Sequence, residues 1–133
     1  MTDAVKKILH IFEEISAIPR CSKNEEAIGT WLINWAKENN FEVEADKVRN
    51  VLIRVPASEG YENAPVLVLQ GHMDMVCEKA TDSNHNFCTD PIKFVYDGDW
   101  LKADKTTLGA DNGIALAMSL ALATDKEIKH PAL

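Results

Sequence analysis

No stretch of this sequence stays apolar long enough to cross a bilayer, and residues 1–7 carry no signal-type apolar core. A membrane-spanning or exported class is thereby disfavoured, and a cytoplasmic protein is expected. Basic clusters are missing too: 14 Lys and Arg are scattered among 21 Asp and Glu, for a formal charge of −7. Neither nucleic acid nor an anionic membrane is therefore expected as a partner. Cysteine is scarce and odd in number, and Cys21, Cys77 and Cys88 form no C-x-x-C pair. That excludes a zinc knuckle and argues against a disulfide framework, so three reduced thiols are expected. Internal repeats, low-complexity tracts and linkers are also absent, which leaves 133 residues as one domain with a core.

What is present is strongly patterned. Val5, Ile8, Leu9, Phe12 and Ile15 recur at helical spacing, with Pro19 just beyond, and predict a helix over residues 3–17. Ser22-Lys23-Asn24-Glu25 fits a capping box, in which Ser and Glu side chains satisfy free amides at the start of a second helix. Ala27, Ile28, Trp31, Leu32 and Trp35 supply its apolar face, and Asn39-Asn40 its stop. The two tryptophans, one turn apart, suit the covering of a sheet better than an aromatic cage. From Phe41 the period changes to two, predicting a strand whose Glu42, Glu44 and Asp46 face water.

A second strand is expected over 50–56, and the uninterrupted Val-Leu-Val-Leu run at 66–69 predicts a central strand covered on both faces. Residues 92–103 read as a hairpin turning at Asp97-Gly98, and 114–123 as a helix buried on several sides. Residues 128–133 look like the approach to a further strand. The fold class implied is α/β, a mixed twisted sheet flanked by helices.

Two segments carry chemistry. The run at 66–69 leads into Gly71-His72-Met73-Asp74-Met75-Val76, and strand ends are where α/β folds place their sites. Imidazole is a zinc ligand through one nitrogen, and its other N–H needs an acceptor to fix the tautomer. His72 and Asp74, two apart in extended chain, point to one side and can share those roles. By itself H-x-D is a weak signal, and chance pairing is the plain alternative. The second segment is Thr106-Thr107-Leu108-Gly109-Ala110-Asp111-Asn112-Gly113, a glycine-flanked acidic turn opening the last helix. Asp111 is either a helix cap or a carboxylate able to bridge two cations, and the roles are compatible. The turn lacks the spacing and lysine of a phosphate loop. Cys77 is read as structural rather than as a soft ligand, His85 as a loop residue of open role, and His130 as part of a turn rather than a ligand.

Taken together, G-H-M-D-M-V and T-T-L-G-A-D-N-G-I resemble the metal-binding core of the co-catalytic zinc exopeptidases, and within them the aminoacyl-histidine (Xaa-His) dipeptidases. Ile18-Pro19-Arg20 before Ser22, Trp35-Ala36, Asn50-Val51-Leu52-Ile53-Arg54, His85-x-Phe87, Asp90-Pro91-Ile92 and Asp97-Gly98-x-Trp100 extend the likeness along nearly the whole chain. The resemblance implies a zinc-dependent dipeptidase in which His72 binds one of two zinc ions, replaceable by cobalt or manganese. Asp111 would bridge both ions, and Asp74 would be the catalytic-site residue that orients His72.

It further implies a dipeptide substrate cleaved by metal-activated water, a homodimeric parent enzyme, and a cis bond between Asp111 and Asn112. On this likeness residues 1–133 are the N-terminal part of a catalytic metallopeptidase domain. The rest of that domain, a lid or dimerisation domain, the general base and the other ligands would lie outside, leaving the chain alone inactive. Alternatives are another amidohydrolase of the family, such as a tripeptidase, aminoacylase or deacylase, or a non-catalytic binding or assembly module.

Overall fold

A computed structural model describes all residues from Met1 to Leu133. Helix α1 (Asp3–Ser16) is capped by the Thr2 hydroxyl, which accepts from the Val5 amide, and Asp3 in its first turn complements the helix dipole. Its apolar stripe turns Ile11, Phe12 and Ile15 inward. Helix α2 (Glu26–Glu38) begins four residues after Ser22, with Glu25 as its cap residue and no side-chain cap bond. The expected capping box is therefore absent. Glu25 instead accepts from the Lys23 amide, and Ser22 turns toward Asp74.

Two short antiparallel pairs follow: β1 (Glu42–Ala45) with β2 (Val51–Arg54), and β3 (Phe94–Asp97) with β4 (Trp100–Ala103). The expected hairpin forms, but its loop is Gly98-Asp99, because Asp97 is already paired with Trp100. Gly98 there takes a positive φ of 58°. Helix α3 (Ala110–Ala123) packs against α1, and Ile28 and Leu32 of α2 complete a core with Ala117, Leu120 and Ala121. Phe12 and Phe94 rings, 5.1 Å between centroids, tie the β3–β4 hairpin to this core.

The chain is thus a small α/β fold of helices and short sheets. The run at 66–69 is not the covered central strand its composition suggested: Val66, Leu67, Val68 and Leu69 are all exposed and belong to neither sheet. Its backbone meets the last residues instead, the Leu67 amide donating to Ala132, while Val55 and Leu133 exchange both backbone bonds. Beside it opens an apolar groove of about 790 Å3 lined by Trp35, Val51, Ile53, Val66 and Leu116. No helix is long and apolar enough to cross a membrane.

The cysteines differ from expectation. Cys21 and Cys77 form a disulfide, and only Cys88 is free. Residues 20–22 lie parallel to 73–77, with Met75 N–H donating to Arg20 and Ser22 N–H to Met75, and this pairing brings the two cysteines face to face. Their sequence separation of 56 gave no hint of it.

Candidate functional site

The two chemistry-bearing segments meet. Thr107 is the stitch: its amide donates to Glu78, its hydroxyl donates to the Val76 carbonyl at 2.7 Å, and Ala80 N–H donates to Lys105 nearby. The segment around His72 is thereby laid against the turn that carries Asp111.

His72, Asp74 and Asp111 come together. His72 Nδ1 lies 2.9 Å from Asp74 Oδ1, and Nε2 lies 3.0 Å from Asp111 Oδ1. Asp74 is itself oriented, since the Ser22 hydroxyl donates to its other oxygen. Asp111 does not cap α3. Gly109, at φ 71°, is the cap residue, and the Asp111 side chain is 95% exposed and aimed at the imidazole. The peptide bond between Asp111 and Asn112 is cis.

Electrostatics follow from this geometry. The Asp111 carboxylate raises the His72 pKa above the ordinary imidazole value, and Asp74 adds to the effect against partial desolvation. Asp74 is held below the usual carboxylate range, first by the Ser22 hydroxyl and then by His72. With Nδ1–H committed to Asp74, the Nε2 lone pair faces a carboxylate oxygen, so a proton or another cation belongs between them.

An imidazole nitrogen and a carboxylate oxygen are a zinc donor set, and atoms 3.0 Å apart can both reach one ion at roughly 2.0–2.2 Å. Asp74 occupies the position of the acceptor that fixes a metal-binding histidine. The pair is short of a full shell, because no three His, Cys, Asp or Glu side chains of the chain are arranged so that together they could hold a metal ion. The apolar groove is lined by Gly71 and Met73 on either side of His72 but by none of the three residues themselves. His85 packs edge-on against Phe87, and His130 is buried beside Ser58, whose hydroxyl accepts from its amide.

Sequence reasoning assigned no role to Arg20 or Thr107 and made Ser22 a helix cap, yet these three hold the site together. Arg20 is 1% exposed and donates to the carbonyls of Met73, Asp74 and Gly109. The one local signal was an arginine directly after the mostly apolar stretch Ala17-Ile18-Pro19.

Comparison with known proteins first places the fold. A tripeptidase from Staphylococcus aureus superposes with a TM-score of 0.74 over 96% of this chain and 34% of its own, and at 22% identity the likeness is one of fold alone. A closer likeness then links the chain to dipeptidases. The crystal structure of an aminoacylhistidine dipeptidase from Vibrio alginolyticus matches with a TM-score of 0.92 and 46% identity over 95% of this chain and 26% of that one. The cytosol non-specific dipeptidase of Escherichia coli is 49% identical over 120 residues, 90% of this chain and 25% of its own length. The chain thus spans about a quarter of the length of these dipeptidases. No protein-family model matches it.

Proposed function

We propose that residues 1–133 form the N-terminal part of the catalytic domain of a cytoplasmic, zinc-dependent dipeptidase acting on Xaa-His and related dipeptides. The observation that carries this reading is the imidazole of His72, held by Asp74 on one nitrogen and facing an exposed Asp111 oxygen with the other. Its support is the identity of nearly half with two proteins named as dipeptidases.

In this reading His72 Nε2 and the Asp111 carboxylate would hold the metal, and Asp111 keeps its second oxygen free of hydrogen bonds for that purpose. Zinc bound there supplies Lewis acidity toward water and the scissile carbonyl. Asp74 would accept a hydrogen bond from Nδ1–H, which keeps the Nε2 lone pair presented to the cation, and Ser22 fixes Asp74 in turn. The general base and the remaining ligands come from residues beyond these, as does the contact surface of a homodimer.

The test has two arms. The full-length protein that carries this segment is expected to hydrolyse Xaa-His dipeptides, with the rate lost on His72→Ala or on chelation. The 133-residue chain is expected to bind zinc weakly and to show no peptidase activity. Hydrolysis by the rigorously purified short chain, abolished by His72→Ala, would overturn the partial-site reading. Activity confined to tripeptides or N-acyl amino acids across a substrate panel would replace the dipeptide assignment.

A further inference from the structure

Arg20 reaches both halves of the site from outside it. It follows Pro19 in the turn after α1, is 1% exposed, and its own carbonyl accepts from the Met75 amide. Its Nη1 donates to the carbonyls of Met73 at 3.2 Å and Asp74 at 3.3 Å, and Nη2 donates to that of Gly109 at 2.7 Å. Met73 adjoins His72, and Gly109 lies two residues before Asp111. One rigid planar group thus fixes the separation of the two backbones that present Nε2 and Oδ1.

A guanidinium suits this task because its N–H groups point outward in a fixed fork, whereas an ammonium is a compact charge on a flexible stem. The fork also explains the two flanking glycines. A Cβ at Gly109 would stand 2.5 Å from Nη2, and one at Gly113 would stand 2.7 Å from it. Only hydrogen in place of a side chain leaves the guanidinium its slot.

We propose that Arg20 is a positioning residue whose buried fork sets the spacing of His72 and Asp111, and thereby the affinity of that pair for a divalent cation. The proposal rests on the metal reading above and adds to it the residue that builds the pair.

The test uses the full-length protein, with zinc affinity from competition against a chromophoric chelator and the visible spectrum of the cobalt-loaded form. Arg20→Lys keeps charge and most of the volume but cannot span three carbonyls. It is expected to unfold cooperatively like the parent, to bind zinc about 10–100-fold more weakly, the range for residues that orient metal ligands, and to shift the cobalt bands. Arg20→Ala, if it folds, is expected to regain affinity on addition of methylguanidinium.

A metal-free readout separates the two claims. Amide exchange at 72–76 and 109–113 should quicken together in Arg20→Lys while core amides of α1 stay protected. If the parent protein binds no zinc through His72 yet this paired quickening appears, the metal reading falls and the positioning role stands. Unchanged zinc affinity, cobalt spectrum and exchange in a folded Arg20→Lys would overturn the proposal. So would an Arg20→Lys protein that loses its whole fold, since the fork would then serve the core rather than the site.

Discussion

Alanine at Gly29 and alanine at Gly113 should move stability in opposite directions, although both glycines are buried and both lie in helices. Replacing a helical glycine by alanine gains about 0.5–1 kcal/mol, because the unfolded chain loses freedom it would otherwise have to give up. At Gly29 nothing opposes that gain: the new Cβ would first meet Met73 Sδ at 3.8 Å, an ordinary contact. At Gly113 it would stand 2.7 Å from Arg20 Nη2 and 2.8 Å from Phe12 Cε2. Both neighbours are 1% exposed and have nowhere to retreat. Overpacking of this kind costs about 1–3 kcal/mol, so the net change at Gly113 is a loss of up to about 2.5 kcal/mol. Urea unfolding followed by far-UV circular dichroism reads both, and with slopes of about 1–3 kcal/mol per molar the two midpoints should separate by roughly 1 M. Equal shifts of the same sign would refute the claim that the guanidinium slot, rather than helix propensity, governs Gly113.

The disulfide joins cysteines 56 residues apart, and loop-closure entropy gives it about 4 kcal/mol of stabilisation. A Cys21→Ser, Cys77→Ser double variant should lose most of that in urea unfolding, and a loss under 1 kcal/mol would show that the bond does not constrain the unfolded chain as argued. Asp46 accepts from the side chain and amide of Asn50 and from the Val48 amide, which together hold its carboxyl below the usual range. A depressed folded-state pKa adds stability above the ordinary carboxylate value, and that stability is lost as pH falls through the folded value. The stability difference between the parent and Asp46→Ala should therefore shrink in acid, and a pH-independent difference would contradict the pairing.

How far the fold could be read depended on how local its causes are. Helix α1 and both strand pairs were legible within about two residues, and α2 in its face and its stop but not in its start, because a 3.6 or 2.0 period is written in neighbouring residues. Where a local signal had a competing partner far away, it failed. Ser22 and Glu25 had the spacing of a capping box, but Ser22 is taken by Asp74, 52 positions on. The 66–69 run had the composition of a covered strand, yet whether a strand is covered depends on what packs against it, and here all four side chains meet solvent.

The sequence by itself singled out His72, Asp74 and Asp111 as the candidate site residues. An H-x-D pair and a glycine-flanked carboxylate marked these positions only weakly, and it was the resemblance of the two segments to zinc exopeptidase motifs that gave them expected roles as ligand, orienting acceptor and bridging carboxylate. Only the tertiary structure decided what holds them in place. The carbonyls that Arg20 reaches lie 53 to 89 positions away, and Cys21 meets Cys77 across a parallel pairing that no pattern announces. Both depend on chain segments brought together by the packing of α1 and α3, and a distance in space between remote residues is not encoded in any window of sequence.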